Sequence, residues 1–276
     1  MTINCKDKLL NLDSPIVMGI LNVTPDSFFD GGNYELESDI LQQTKTMLHE
    51  GATIIDVGGY SSKPGAEEVS EQEELNRVIP AIKTILKNYP ETIISIDTFR
   101  SKVAIKAVKA GASIINDISA GEMDSNMFNT VKQLQVPYCI MHMKGTPQNM
   151  QKEPKYDNVV TEVYQYLHKK VAELNRLGVN DIIIDLGFGF GKTIEHNYEL
   201  LAHLSNFKSL NCPVLVGISR KSMIYKTLGV SAIEALNGTT ALHSIALQSG
   251  GNILRVHDVK EAAEVIFLNN KLNENE

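Results

Sequence analysis

Eight short aliphatic runs, spread along the whole chain and each stopping at a polar or charged residue, restrict the possible folds more than any other feature. They are IVMGILNV (16–23), ATIIDVGG (52–59), TIISIDTF (92–99), SIINDIS (113–119), PYCIMHM (137–143), DIIIDLG (181–187), PVLVGIS (213–219) and ILRVHD (253–258). The runs are nearly continuous in Ile and Val, without regular alternation of apolar and polar residues. That is the pattern of parallel strands covered on both faces. Helical patterns lie between them, at 37–50, 71–88, 101–110, 158–177, 197–208 and 231–249. The clearest is EQEELNRVIPAIKTILKN, where Leu75, Val78, Ile79, Ile82, Ile85 and Leu86 form an i, i+3, i+4, i+7 stripe interrupted locally by Pro80. HEGATIID (49–56) and KAGASIIN (109–116) nearly repeat: each sets a Gly just past a helix and then opens a strand ending in a carboxylate or amide. Eight strand-then-helix units predict an α/β fold, a closed (β/α)8 TIM barrel in preference to a doubly wound open sheet.

Composition bears on the remaining choices. A chain of 276 residues with no linker, low-complexity tract or composition shift is read as one domain, 1–276, with its core at about 14–270. The net charge of −7, with Lys and Arg scattered singly, argues against a nucleic-acid surface. No apolar stretch approaches the roughly 20 residues of a membrane span, and no secretory signal precedes Cys5. Cys5, Cys139 and Cys212 are odd in number and lack metal-ligand spacing, so they are expected to be reduced thiols in a cytoplasmic protein.

In such a barrel the carboxyl ends of the strands carry the chemistry. In chain order those ends supply Asn22; Asp56; Asp97; Asn116 and Asp117; His142; Asp185; Ser219, Arg220 and Lys221; and Arg255, His257 and Asp258. Asp97, Asn116 and Asp185 suit a flat nitrogen-rich heterocycle, because a carboxylate pairs bidentately with an N–C–N edge. Arg220, Lys221, Arg255 and His257 would give the same mouth a local positive field for phosphate oxygens, unless they pair with the neighbouring acids instead.

Several loops stay open to two readings. LGFGFGK (186–192) lacks dinucleotide and Walker spacing; Phe188 or Phe190 either stacks on a ligand ring or forms a hydrophobic plug. GGYSSKPGA (58–66) has the composition of a mobile loop that offers hydroxyls and one cation to a phosphate. Ser222 is either an anion contact at a helix start or an ordinary cap. Asp26 and Asp30 are candidates for a hard-cation or proton-transfer role, or simply for turn chemistry.

Taken together, MGILNVTPDSFFDGG, IIDVGGYSSKPGA, SIDTFR, IINDIS, MHMKGTPQNMQ, IIIDLGFGFGK, VGISRKS and RVHDV closely resemble the dihydropteroate synthase family, in the family's order, from Ile16 to Asp258. The resemblance implies a (β/α)8 barrel that joins p-aminobenzoate to 6-hydroxymethyl-7,8-dihydropterin diphosphate and releases pyrophosphate, with Mg2+ as cofactor, in a homodimer. It implies that Asp97, Asn116, Asp185, Lys221 and Met141 hold the pterin. Asn22 with magnesium, Ser62, Lys63, Arg255 and His257 would hold the diphosphate. Phe28, Ser62, Pro64, Phe190, Lys221 and Ser222 would line the p-aminobenzoate site, with Asp30, Lys221 and Asn22 catalytic.

The chain departs from the family where GGESTRPGA is usual: Tyr60 replaces an acid, Ser62 a Thr and Lys63 an Arg, which removes a planar phosphate-gripping fork. Leu186 stands where Pro is usual, and Ala120 where Gly is common. Affinity and sulfonamide response are the properties these changes touch. The rival readings are a pterin-dependent methyltransferase barrel, which would not need the SRKS cation set or the Ser/Lys loop, and a non-catalytic pterin-binding regulator, to which the altered 58–66 loop points.

Overall fold

The computed structural model describes residues 1–6, 8–24, 33–60, 69–150 and 154–274. Asp26, Phe28, Asp30, Ser62, Lys63 and Pro64, given roles or candidate roles above, lie outside them. The chain opens with an antiparallel hairpin of β1 (Thr2–Cys5) and β2 (Lys8–Asn11). Eight strands then close into a barrel, each beside its predecessor in the chain: β3 (Ile16–Asn22), β4 (Ala52–Gly58), β5 (Ile93–Asp97), β6 (Ile114–Asp117), β7 (Tyr138–Met141), β8 (Ile182–Asp185), β9 (Val214–Val216) and β10 (Ile253–Val256), which returns to pair with β3. Every barrel pairing is parallel, as the aliphatic runs predict.

Helices α1 (Asn33–His49), α2 (Glu71–Asn88), α3 (Ser101–Ala110), α4 (Met127–Leu134), α5 (Val159–Arg176) and α6 (Ile194–Ala202) each follow one strand; α7 (Ser222–Leu228) and α8 (Leu236–Gln248) both follow β9, and α9 (Val259–Asn273) follows β10. On α2 the predicted stripe faces the barrel: Leu75, Val78, Ile82 and Ile85 are buried, whereas Pro80 sits on the exposed face, where an unpaired carbonyl can be hydrated. The helix expected at 197–208 is divided into α6 and a 3-10 segment, Leu204–Leu210, meeting at His203. The hairpin, α4 and α9 were not expected from the sequence.

Side-chain alternation sorts the strands into two cores. Outward residues such as Leu21, Ile55, Ile94, Ile115, Ile140, Ile184, Val216 and Leu254 pack in one cluster with the buried stripes of the helices. The first inward row, Met18, Ile54, Ile93, Ile114, Cys139, Ile183, Leu215 and Ile253, packs instead with Ile3, Cys5, Leu10 and Leu12 of the hairpin. The hairpin therefore seals the amino-terminal end of the barrel. Two residues further along the strands the inward row becomes largely polar, with Asp56, Ser95, Asn116, Asp185 and Arg255 among its members. The barrel is closed below by apolar packing and presents charge above.

Candidate active site

The polar rows at the carboxyl ends meet across the barrel. Asn22, Gly58, Asp97 and Asn116 are register partners on four neighbouring strands, β3 to β6. A methyl group built at Gly58 would stand 3.7 Å from Asn22 Oδ1 and 3.7 Å from Asp97 Oδ2, so these two oxygens flank one point. Arg255 reaches over from β10, its Nε donating to Asp56 Oδ2 at 2.6 Å and its Nη2 to Asp97 Oδ2 at 2.6 Å. Asn116 Nδ2 donates to the same Asp56 oxygen at 3.1 Å. On the other side, Asp185 pairs in register with Met141, and a methyl group at Gly217 would be 3.9 Å from both Asp185 Oδ2 and Lys221 Nζ. Lys221 donates to the Phe188 carbonyl and lies 4.7 Å from the centre of the Phe190 ring.

The electrostatics follow from burial. Desolvation pushes the Asp97 carboxyl up to about 7, against the Arg255 charge that favours ionisation and with Asp56 adding repulsion. Asp185 is also raised by burial, opposed chiefly by Lys221. Burial lowers Lys221 to about 8, with Asp185 the main group resisting that fall. Acids and cations thus share one poorly solvated cup in which burial disfavours each charge and the opposite charges offset only part of that cost. Asp56 Oδ1 and Ser95 Oγ, register partners in its floor, have no hydrogen-bond partner among the described residues.

Arg220 with its partner Asp258, Asp117 and His142 turn away from the cup. Arg220, expected to add to its positive field, instead grips Asp258 with two 2.8 Å bonds and donates to the carbonyls of Ala232 and Ile233. Those contacts hold a left-handed backbone, φ 51°, at the turn into α7. Asp117 accepts from Tyr138 Oη at 2.6 Å and from Ser119 and Gly121, which shapes the turn after β6. His142 is buried on the outward side, where desolvation and Lys192 drive it down to about 2, a neutral ring.

His257 is exposed at the rim and its backbone N–H donates to Ser219 Oγ. Ser222 is half-buried and opens α7, with Lys221 at the preceding cap position. The GFGFG alternatives separate: Phe188 is wholly buried in the outer core, whereas Phe190 is half-buried beside Lys221 and Met141. At the variant loop, the Tyr60 ring meets Phe99 edge-on at 5.3 Å and lies under Arg100.

Sequence reading gave no role to Asp56, and did not mark Ser95 or Lys192. For Asp56 and Ser95 the signal was present, since both share the inward parity of Asp97. For Lys192 no sequence signal exists, because its partners are mostly backbone oxygens. Among the described residues no three His, Cys, Asp or Glu side chains group as a metal centre. The amide oxygen of Asn22 at this rim fits a hard cation that shares a phosphate ligand and keeps several waters.

Comparison with known proteins gives one answer. A family model described as "Pterin binding enzyme" matches residues 18–257. The dihydropteroate synthase of Escherichia coli is 47% identical over 259 residues, covering 93% of this chain and 91% of its own length. The dihydropteroate synthase of Yersinia pestis, solved with a sulfonamide drug complex, superimposes with a TM-score of 0.93 at 41% identity, covering 99% of this chain and all of its own. That of Xanthomonas albilineans, solved with 4-aminobenzoic acid, gives 0.92 at 38% identity, covering 99% of this chain and 98% of its own. The latter enzyme has also been solved with 7,8-dihydropteroate, with a TM-score of 0.89 at 36% identity and 99% coverage of both chains.

Proposed function

Because the chain belongs to the pterin-binding enzyme family, among its dihydropteroate synthases, we propose that its rim condenses p-aminobenzoate with 6-hydroxymethyl-7,8-dihydropterin diphosphate to give 7,8-dihydropteroate and pyrophosphate. The observation that carries this reading is the meeting of Asp97, Asn116 and Asp185 with Lys221 and Arg255 in one cup. A dihydropterin presents an amidine-like N–C–N edge, and carboxylates with an amide are the groups that pair with it. Met141 and Phe190 supply apolar surface for the ring.

The diphosphate is assigned to Asn22, Arg255 and His257 with Ser62 and Lys63, and p-aminobenzoate to Phe28, Ser62, Pro64, Phe190, Lys221 and Ser222. Mg2+, held by Asn22 and diphosphate oxygens, would supply charge neutralisation for the leaving group. Arg255 and Lys221 stabilise the same departing charge. The bond between the methylene carbon and the diphosphate oxygen breaks with its electron pair on oxygen, and the pterin ring delocalises the resulting cation. The aniline nitrogen of p-aminobenzoate, uncharged near neutral pH, forms the new C–N bond and loses a proton. Asp30, assigned near the reacting centre, and Asn22 complete the catalytic set with Lys221.

The family reading extends to one pterin-binding unit over the chain, with its core at about 14–270, in a cytoplasmic homodimer. The three free, buried cysteines support a reducing compartment, and no described helix is long and apolar enough to cross a membrane. Exposed Leu228, Ile233, Phe267, Leu268 and Leu272 on and around α7 and α9 support self-association.

Purified protein given both substrates and Mg2+ is expected to release pyrophosphate only when p-aminobenzoate is present. No turnover above a Lys221→Ala control would defeat the reading. Binding of the pterin diphosphate without its consumption would point to the regulator instead.

A further inference from the structure

The loop from Leu186 to Lys192 closes around one buried amine, which burial lowers to about 7 against the charge of Asp185. Lys192 is 3% exposed. Its Nζ lies 2.9 Å from His142 Nδ1 and 3.2, 2.9 and 3.1 Å from the carbonyl oxygens of His142, Gly187 and Phe190. An ammonium carries three donors and no acceptor, and all four of these neighbours accept when the imidazole is neutral with its proton on Nε2. The burial that holds His142 neutral is thus consistent with the arrangement.

The residues that Lys192 fixes interleave with those that receive Lys221. Gly187 and Phe190 give carbonyls to Lys192, while Phe188 gives its carbonyl and Phe190 its ring face to Lys221. The Gly187 N–H donates to Asp185 Oδ1 at 2.7 Å, so the same turn also orients that carboxylate. Gly187 has a left-handed φ of 70°, and a side chain there would collide with the His142 carbonyl oxygen that Lys192 bonds. Two further ties hold the loop from outside: Gly189 N–H to Asn197 Oδ1 and Tyr156 Oη–H to the Gly191 carbonyl, both 2.7 Å.

We propose that Lys192 is a positioning residue, a buried amino group that pins the 186–192 turn to His142 and so sets where Lys221 and Asp185 stand in the cup. It does not itself touch substrate. A neutral side chain of similar length would leave several converging carbonyls without a donor, and the turn would relax towards other partners. Lys221 would then lose the backbone acceptor and the ring face that fix its long, rotatable stem.

This inference rests on the assignment of Lys221 and Asp185 to the pterin, and the experiment separates the two. Steady-state kcat/KM for 6-hydroxymethyl-7,8-dihydropterin diphosphate is measured, per folded molecule, in Lys192→Met, Lys221→Met and the double variant. Lys192→Met is expected to lower it by roughly tenfold or more in the native background and by a clearly smaller factor when Lys221 is already Met, the remainder passing through Asp185. An equal loss in both backgrounds, or none in either, overturns the positioning role, since damage to general stability does not depend on Lys221. If Lys192→Met does not fold, Tyr156→Phe, which removes one hydroxyl from the same turn, is read in the same way with an expected loss of about threefold. Unchanged turnover in Lys221→Met alone overturns the site assignment instead.

Discussion

Arg220 and Lys221 are adjacent and carry the same charge, yet only one faces the cup. The strand-end rule places both at the mouth, but the left-handed φ of Arg220 turns its side chain to Asp258. Arg220→Ala is therefore expected to cost about 1.5–3 kcal/mol of stability by denaturant unfolding, because it strips a two-bond charged contact. Its kcat per folded molecule should change little. Lys221→Ala should leave stability nearly unchanged and lower kcat/KM by about 10²–10³-fold. The reverse assignment of effects would contradict the geometry. Titration gives a second check. Burial has raised Asp97 to about 7, so the carboxylate assigned to the pterin edge forms only as pH rises through that value. Burial has lowered Lys221 to about 8, so its ammonium is lost as pH rises beyond it. The profile of kcat/KM for the pterin diphosphate should be a bell with limbs near those values; a flat profile across them would count against both assignments. Which strand-end residues turn inward follows from the period of two once the register is known: Asn22, Asp97, Asn116, Asp185 and Arg255 share the inward face of their strands, Asp117 and His142 the other. Pairing across the barrel, such as Arg255 with Asp56 and Asp97, was not legible, because it depends on contacts between residues 158 and 199 positions apart.

Among the elements, the eight strands and the longer helices could be read because each carries an aliphatic run or stripe long enough to define a period. The misses have physical causes. Strands β1 and β2 are four residues each and place only Ile3, Cys5 and Leu10 inward, too few to establish alternation. Helix α4 spans eight residues with a short buried stripe. On α9, exposed Phe267, Leu268 and Leu272 blur the buried stripe of Val259, Ala262, Val265 and Ile266. The hairpin closes the end of the barrel opposite the cup, so its side chains should matter for stability and not for ligands. Leu12→Ala, at a position 1% exposed, is expected to destabilise by about 2–5 kcal/mol in denaturant unfolding. Pterin affinity of the folded variant should stay within about twofold of the parent, as expected for distant independent sites. A large loss of affinity would mean the two ends are coupled.

For the whole molecule, the apolar side chains left on α7 and α9 bear on assembly. Sedimentation is expected to give twice the chain mass, and Phe267→Asp combined with Leu272→Asp to give single chains; a monomeric parent would remove the dimer. The barrel itself does two jobs at its two ends. Below, inward aliphatic side chains and the hairpin fill the interior; above, one step of the pleat later, the same strands deliver acids, amides and cations to one cup. Whether this cup is the pterin site is decided by calorimetric titration of a 6-hydroxymethylpterin into the protein and into Asp185→Asn. The substitution is expected to weaken binding by about 30-fold or more, the loss of one charged partner to a buried N–C–N edge. Equal affinity in the two proteins would contradict it.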